Sequence, residues 1–181
     1  YPIISSAALS CSLTIQNGAN VTVTTNNSIT VTNDVTIFTG STFTLEDSAS
    51  LIQINNVANS VNGTFSMTRI TQPMYRYDYT YWGSPLTASS NYTLGKLTPL
   101  TRADKFYSWI PSDSKNGGIG NWAQESVATI MNPLKGYIAR APDTYSTNPS
   151  TKLPYTAVFT GTPNNGDISA PVSCGTLGNA T

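Results

Sequence analysis

Aromatic side chains, rather than acids or bases, are the residues of this sequence whose spacing suggests chemistry. Four tyrosines alternate along one segment: Tyr75, Tyr77, Tyr79 and Tyr81. Alternate residues of a strand share one face, and a row of rings there could stack on sugar rings while the hydroxyls hydrogen-bond to them. The same row could instead pack against a core or a neighbouring element. For four tyrosines on a central strand, the pattern favours packing.

Two tryptophans flank a polar loop and form the second candidate site. Trp109 and Trp122 lie on either side of residues 113–118, where they could form an exposed aromatic clamp or fill a core. Within the loop, Asp113 and Asn116 carry oxygen atoms of the kind that Ca²⁺ accepts. The loop has one carboxylate and a lysine that opposes a cation, so the sequence favours a flexible turn without metal or cofactor. These four residues are the predicted ligand contacts.

Catalytic chemistry has little support in the sequence. The chain contains no histidine, which removes the commonest general base and transition-metal ligand and excludes a Ser-His-Asp site. Glu46 and Asp47 are adjacent, so in a strand they point to opposite faces, and Glu125 stands alone on its segment. Acid placement therefore gives no reason to expect a pair of carboxylates that hydrolyses a glycoside. We predict that the protein is not an enzyme.

The composition excludes several classes of partner. Charged residues make up 10% of the chain, and nine basic side chains balance nine acidic ones. Without a basic run, nucleic acid and anionic membranes are poor partners. No apolar stretch approaches the roughly 20 residues that span a bilayer, so no membrane insertion is expected. Abundant Thr, Ser and Asn with scarce Lys favour an extracellular protein. Because the chain begins at Tyr1, we expect a mature product or a segment of a longer protein.

The two cysteines lie near opposite ends of the chain, at Cys11 and Cys174. Their separation excludes a CxxC zinc or redox motif. In an oxidising compartment they could bond to each other or to neighbouring molecules. A bond within the chain would restrain the unfolded state by ~4–5 kcal/mol in the entropy model. Two free buried thiols are the alternative, and the sequence leaves the choice open.

A 22-residue repeat organises the first part of the chain. Triplets of the form apolar-Thr-apolar start at Leu13, Val21, Ile29, Val35 and Phe43, so that Leu13 recurs as Val35 and Val21 as Phe43. In a strand each triplet points two apolar side chains inward and one threonine outward. The period predicts interior columns, Leu13–Val35–Val57 and Val21–Phe43–Phe65 among them, in stacked triangular coils. An antiparallel meander is the alternative.

These patterns predict an all-β chain with three parts. Residues 1–10 form a lead-in that could cover the first open edge, and residues 11–69 form a short parallel β-solenoid. Residues 70–181 form an aromatic-rich antiparallel β-sandwich whose turns are marked by glycine and proline. Its strands are predicted at 75–82, 105–110, 122–130, 136–141 and 155–160, with a helical turn near 101–105.

Four phrases of the second part resemble a known type of module. They are Tyr77–Pro85, Ala103–Tyr107, Met131–Ile138 and Phe159–Gly166. In that order they resemble modules of large secreted surface proteins of Flavobacteria and other Bacteroidetes, which leave the cell by type IX secretion and include adhesins and gliding-associated filaments. The resemblance covers roughly residues 13–168. The sorting domain that ends such proteins is not evident in the chain. Asp47-Ser48-Ala49 also resembles the short O-glycosylation signal of that phylum, which makes Ser48 a candidate.

The resemblance and the aromatic residues together predict a secreted cell-surface adhesin module that binds a surface glycan or polymer. A structural role is the main alternative. In it, copies of the chain stack into an extracellular filament because the open edges of a solenoid can pair with another copy. A carbohydrate-binding appendage of a larger enzyme is a third possibility, for which the parent gene would also encode a catalytic domain.

Overall fold

The structure is a computed structural model that describes residues 1–175, apart from the side chain of Asn116. The described chain is all-β with almost no helix, and its several sheets mix parallel and antiparallel pairing. Two one-turn helices, α1 (Leu94–Leu97) and α2 (Lys115–Gly118), are the α-helical segments of the described residues. The strands are β1 (Ile3–Ile4), β2 (Ala8–Ser10), β3 (Leu13–Ile15), β4 (Asn20–Val23), β5 (Ser28–Val31), β6 (Val35–Ile37), β7 (Thr42–Leu45), β8 (Ser50–Gln53), β9 (Ser60–Val61), β10 (Thr64–Ile70), β11 (Tyr79–Trp82), β12 (Phe106–Ile110), β13 (Asn121–Gln124), β14 (Tyr137–Arg140) and β15 (Thr156–Thr160).

The repeat pairs in register as parallel strands. In β4, β7 and β10, Val21 lies beside Phe43 and Phe43 beside Phe65, so each strand meets its own counterpart in the next repeat. The two phenylalanine rings meet edge to face with centroids 5.8 Å apart, and both side chains are buried. Stacking identical positions places apolar groups on one another without gaps, which is the packing that the triplets predict. This column is confirmed.

The column predicted through Val57 is wrong. In β3 and β6, Leu13 lies beside Val35 as expected, but the next strand pairs Ile37 with Val61, where an exact repeat would bring Asn59. Val57 is 39% exposed, and the side-chain oxygen of Asn59 instead accepts a hydrogen bond of 2.9 Å from the Val35 backbone N–H. Two extra residues therefore shift this side of the repeat, although the next strand, β10, regains the original register.

Left-handed corners recur with the same period. Gly18 and its counterpart Gly40 have φ values of 78° and 77°, and Asn26 and its counterpart Ser48 have φ values of 63° and 59°. Glycine adopts such backbone without strain, and asparagine tolerates it better than most residues. The first pair was visible in the sequence as repeated glycines. The second pair was not, because its two members differ in type.

The lead-in residues join the parallel sheets. β1 pairs with β4 through Ile3 and Thr22, and β2 pairs with β5 through Ala8 and Ile29. Residues 1–10 thus cover the first edge of the repeat as two short parallel strands. The outer side chains of this segment are exposed, Leu9 to 86%.

Two later segments complete the first compact unit, which comprises residues 1–71, 85–92 and 154–167. β15 pairs antiparallel with β10, where Phe159 lies opposite Met67. Tyr92 is buried with its ring 5.1 Å from that of Phe159, and its hydroxyl donates to the Val158 carbonyl at 2.8 Å. Burial raises the pKa of Tyr92 well above its usual range. The sequence placed residues 155–160 in the second region, whereas their contacts group them with the repeat.

Among the described residues, the second compact unit comprises 72–84, 93–153 and 168–175. Its four-stranded sheet has the order β11-β14-β12-β13, and all three pairings are antiparallel. Four of the predicted strands are present but shorter; β13, for example, ends at Gln124. The helical turn predicted near residues 101–105 is wrong, since α1 and α2 lie at 94–97 and 115–118.

One face of this sheet is buried. Phe106, Ser108, Tyr137 and Ala139 are each at most 2% exposed and alternate with residues of the opposite face. The apolar side chains on this face explain why the strands pair, because burying apolar area contributes ~25 cal/mol per Å². The opposite face carries the residues described next.

Candidate functional site

The outward face of the four-stranded sheet concentrates aromatic side chains. Residues paired across antiparallel strands share a face. Tyr81 lies opposite Ile138, which lies opposite Tyr107, and Trp109 lies opposite Trp122. Together with one further tyrosine these residues form a surface that we name the aromatic face: Tyr79, Tyr81, Tyr107, Trp109 and Trp122, arranged around Ile138.

The tyrosine row is exposed, so its interpretation as core packing is wrong. Tyr81 is 76% exposed, Tyr77 51% and Tyr79 40%. β11 starts only at Tyr79, so the two earlier tyrosines precede the strand, and the rings of Tyr75 and Tyr77 contact each other at 5.8 Å. The physical reason is that β11 lies at the edge of the sheet, rather than at its centre, and its outer face meets solvent.

The predicted tryptophan pair is brought together. The rings of Trp109 and Trp122 meet edge to face with centroids 5.1 Å apart, and the two side chains are 38% and 37% exposed. Tyr81 approaches Trp122 at 6.3 Å with planes inclined by 47°. The sequence predicted that these two tryptophans flank a loop, and the sheet register makes them direct cross-strand neighbours.

Inclined rings enclose a depression on this face. Tyr79, Tyr107, Trp122 and Ile138 line a cavity of about 260 Å³. The Tyr79 and Tyr107 rings are 6.2 Å apart and inclined by 57°, so they form walls rather than one flat plane. Burial is the main reason that the pKa of Tyr79 is raised, with the Tyr107 hydroxyl adding to it.

A second, larger cleft adjoins Trp109. Its volume is about 620 Å³, and apolar side chains line much of it, among them Pro111, Pro133, Leu134 and Val172. Leu134 has a φ of 61° and is 62% exposed. A leucine in the left-handed region is strained, and such strain is concentrated at functional sites. Trp109 therefore borders this cleft, while its neighbour Trp122 borders the smaller depression.

Charged groups beside the aromatic face and the larger cleft are paired with one another. Lys105 lies 2.8 Å from Asp104, and Lys135 lies 2.8 Å from Glu125. Arg140, which lies opposite Tyr79 in the sheet and is 8% exposed, forms an ion pair with Asp143. These cations are held by carboxylates of the chain, which leaves rings and amides as the main binding groups of this surface.

Glu125 is the centre of a polar network. Its carboxylate accepts hydrogen bonds from Ser108 at 2.6 Å, Lys135 at 2.8 Å and Thr129 at 3.1 Å. Burial opposes its ionisation, but the hydrogen bonds from Lys135, Ser108 and Thr129 outweigh burial and lower the pKa of Glu125. The carboxylate that stood alone in sequence is thus a partnered structural group.

Arg76 and Asp78, which precede β11, contact different partners. The Arg76 guanidinium donates to the backbone carbonyl of Asp143, while Asp78 lies 3.2 Å from Lys152 and accepts from the Tyr75 N–H. The segment before β11 is not a strand, so alternate residues there do not share a face.

The loop predicted to bind a ligand is partly helical. Asp113 accepts a hydrogen bond of 2.9 Å from the Lys115 N–H, which fixes the start of the α2 turn. The side chain of Asn116 lies outside the described residues. Within residues 1–175, no group of three or more His, Cys, Asp or Glu is arranged to hold a metal ion. A Ca²⁺ site here stays the untested alternative to the turn without metal that the sequence favours.

The remaining predicted positions lie elsewhere. Cys11 and Cys174 are free and exposed, so no bond joins them, and the Cys11 sulfur accepts from the Asn33 side chain at 3.3 Å. A bond between copies stays a prediction. Ser48 is exposed at a left-handed corner of the repeat, where its hydroxyl donates to Asp47 at 3.0 Å. Its modification also stays a prediction.

Comparison with protein-family models identifies the family to which the chain belongs. A family model described as domain of unknown function DUF8693 matches residues 1–181. The chain belongs to the DUF8693 family. No curated protein and no solved structure matches this DUF8693 chain. Among its described residues, no helix has the length and apolarity needed to cross a membrane.

Sequence reasoning missed three residues of this DUF8693 surface: Tyr107, Gln124 and Ile138. Tyr107 alternates with Trp109 in a predicted strand, and that signal could have found it. Gln124 lies opposite Tyr107 and is exposed, and Ile138 lies between the two tyrosine strands. Their role depends on which strands become neighbours, which a single sequence does not reveal.

Proposed function

We propose that the protein is a non-catalytic module that binds a surface glycan or polymer through the aromatic face. The observation that carries the proposal is the set of five rings on one outward sheet face, where Trp122 contacts both Trp109 and Tyr81. Exposed apolar patches on soluble proteins commonly mark binding surfaces. Aromatic rings offer apolar faces to the C–H groups of sugars, while tyrosine hydroxyls and indole N–H groups supply hydrogen bonds.

The broader setting is also proposed. A secreted cell-surface adhesin, exported by type IX secretion, is what the resemblance implies, and abundant Thr, Ser and Asn with scarce Lys favour an extracellular location. We further propose that residues 11–69 are a short parallel β-solenoid, which the in-register pairing of β4, β7 and β10 supports. An antiparallel sandwich around the second sheet remains part of this proposal.

Substitution of the tryptophan pair tests the proposal. We expect Trp109→Ala and Trp122→Ala to weaken adhesion or glycan binding by at least tenfold, because each removes a large ring from the centre of the face. Tyr1→Ala is the matched control, since Tyr1 is 91% exposed and lies outside the aromatic face. Circular dichroism should show all three variants folded. Unchanged binding by both tryptophan variants would rule out this site.

A structural role is the second candidate, and one observation favours it. Among the described strands, β1, β2 and β3 each have one paired neighbour, which leaves the other edge of each without a described partner. Ile3 and Leu9 are exposed there, at 65% and 86%. Open strand edges pair readily with other chains. Regular filaments in electron micrographs across a concentration series would support assembly, and dispersed monomers at high concentration would exclude it.

A carbohydrate-binding appendage of an enzyme is the third candidate, and it uses the same aromatic face. It predicts that the parent gene encodes a catalytic domain beside this one. Sequencing the parent gene separates it from the adhesin, because a free-standing adhesin needs no catalytic neighbour.

A further inference from the structure

We infer that the aromatic face takes one neutral, linear glycan chain, with one pyranose unit over Ile138 and further units across the tryptophan pair into the cleft beside Leu134. This inference rests on the proposed function and names its ligand class. A crystalline polymer surface, an acidic polysaccharide and a nucleic acid strand are the alternatives that it excludes.

Ring orientation argues for a single chain rather than a crystalline surface. A flat surface needs several rings in one plane to contact it together. Here Trp109 and Trp122 are inclined by 71°, Tyr79 and Tyr107 by 57°, and Tyr81 and Trp122 by 47°. Inclined rings form a walled channel, which contacts the edge and face of a separate sugar ring.

The two cavities have room for different numbers of sugar units. Pockets for drug-sized ligands measure about 300–1,000 Å³, so the depression of about 260 Å³ over Ile138 suits one sugar unit. The cleft of about 620 Å³ beside Trp109 suits a few more. Trp122 borders the first cavity and Trp109 the second, and their rings touch, so the pair forms a continuous aromatic bridge.

Charge argues for a neutral chain. Nucleic acids and acidic polysaccharides are held by lysine and arginine side chains, with a strong dependence on salt. Lys105 and Arg140 beside the aromatic face, and Lys135 beside the larger cleft, are each paired with a carboxylate of the chain. An anionic ligand would compete with these carboxylates for the cations. A neutral ligand leaves them in place.

An exposed amide supplies the polar specificity. Gln124 lies opposite Tyr107 on the same face, in the same strand as Trp122. An amide donates and accepts at once, so it pairs with neighbouring hydroxyls of a sugar or with an acetamido group. The aromatic walls then supply contact area, and Gln124 orients the ring. The amide is therefore expected to govern preference among sugars more than overall attraction.

Defined oligosaccharides test the inference on the intact chain. Tryptophan fluorescence and calorimetry would measure binding of neutral cello-, chito-, xylo- and malto-oligosaccharides from monomer to hexamer, with oligogalacturonates as the acidic series and microcrystalline cellulose as the crystalline form. We expect at least one neutral series to bind, with affinity that rises with length and then levels off, and with little change between low and high salt.

Two variants test where the glycan chain lies on the aromatic face. Ile138→Trp fills the depression and should reduce the number of sugar units at which the affinity for the oligosaccharide levels off. Gln124→Ala should weaken binding roughly fivefold to tenfold and flatten the preference among sugars, since a hydrogen bond contributes about 1 kcal/mol net. Thr156→Ala is the control, because Thr156 is exposed in the other compact unit. Melting temperatures check that each variant is folded.

The outcomes separate this inference from the proposed function. Binding only to the acidic series or to crystalline polymer, lost in Trp122→Ala, would overturn the inference and leave the proposed function standing. The same holds if a neutral series binds but Ile138→Trp and Gln124→Ala both bind like the parent. No binding to any of these glycans overturns the inference. If the chain also forms a dimer that Trp109→Ala dissociates, the face is an interface between copies and the proposed function fails too.

Discussion

Side chains alternate between two faces in both the repeat region and the four-stranded sheet, but with opposite results. The repeat buries its patterned apolar residues, whereas the sheet exposes its patterned tyrosines. In the repeat, the apolar members of each triplet, such as Val21 and Val23, are buried and the threonine between them is partly exposed. In the sheet, Tyr79 and Tyr81 face outward while the residues between and beside them turn inward. Alternation of side-chain type every two residues therefore identifies a strand in both regions, but it does not reveal which face of the strand packs against a core.

The difference lies in how each strand finds its neighbours. A repeat strand pairs with its own counterpart in the next repeat, so the sequence itself contains the pairing. The sheet strands pair with segments of unrelated sequence, and β11 lies beside β14. The pairing of the repeat strands can therefore be read from the sequence, whereas the pairing of the sheet strands cannot.

A buried charge in the repeat should give the largest effect. Val35 is fully buried, so Val35→Asp places an unpaired carboxylate in an apolar column and should unfold the first unit. Thr14→Asp is the control, since Thr14 is an exposed middle residue of a triplet. Thermal melts followed by circular dichroism would compare them. Normal melting of Val35→Asp would contradict the stacked arrangement.

A pair of tyrosines tests the two faces of the sheet. Tyr137 is fully buried and Tyr81 is 76% exposed, although they lie on adjacent strands. Tyr137→Ala should cost about 3–5 kcal/mol of unfolding free energy, whereas Tyr81→Ala should cost less than about 0.5 kcal/mol. Urea unfolding gives both values. Equal losses would mean that the outward face is packed in solution.

Loss of the Glu125 carboxylate should have an intermediate effect that depends on pH. Because the folded pKa of Glu125 is lowered from its ordinary value of 4.5, its ionised form stabilises the folded chain fully above that value. The contribution is lost as pH falls through the lower folded pKa. Glu125→Gln should therefore cost about 1–3 kcal/mol at neutral pH and less in acid.

Measuring unfolding of parent and variant at several pH values would check this. The control is Glu46→Gln in the other unit. If its loss of unfolding free energy also became smaller at acidic pH, the effect would not be specific to Glu125. If the difference in unfolding free energy between the parent and Glu125→Gln were the same at neutral and acidic pH, the network around Glu125 would be contradicted.

A glycine at a repeat corner should give the smallest effect, and a favourable one. Ser48 has a φ of 59°, so Ser48→Gly should relieve strain and stabilise the repeat by up to about 1 kcal/mol. Ser50→Gly, within β8, should instead destabilise by about 0.5–1 kcal/mol. Melting temperatures of the two variants should move in opposite directions. A shift of both in the same direction would argue against a left-handed corner.

The predictable part of the fold was the part with internal symmetry. Repeated triplets predicted the Val21–Phe43–Phe65 column, and the prediction was wrong where two residues are inserted before Val61. Alternating aromatics located β11, β12 and β13. Their packing was misjudged for Tyr79 and Tyr81, because exposure depends on whether another layer covers the sheet.

The candidate site was predictable only in part, for the same reason. Trp109 and Trp122 were noted as neighbours of one loop, and antiparallel pairing of β12 with β13 follows from a short connection. Ile138 comes from a strand that lies between β11 and β12 in space but after both in sequence. Such an order is set by the packing of the whole unit, and no local pattern encodes it.

The position of β15 has a consequence for how the chain folds as it emerges. The first unit is interrupted, since residues 72–84 and 93–153 belong to the second unit and residues 154–167 return to the first. Until residues 156–160 arrive, the last strand of the repeat, β10, has one side without its partner. An unpaired edge invites association with other chains. A chain that stops before residue 156 would therefore expose an unpaired strand edge at β10, with which other chains could pair.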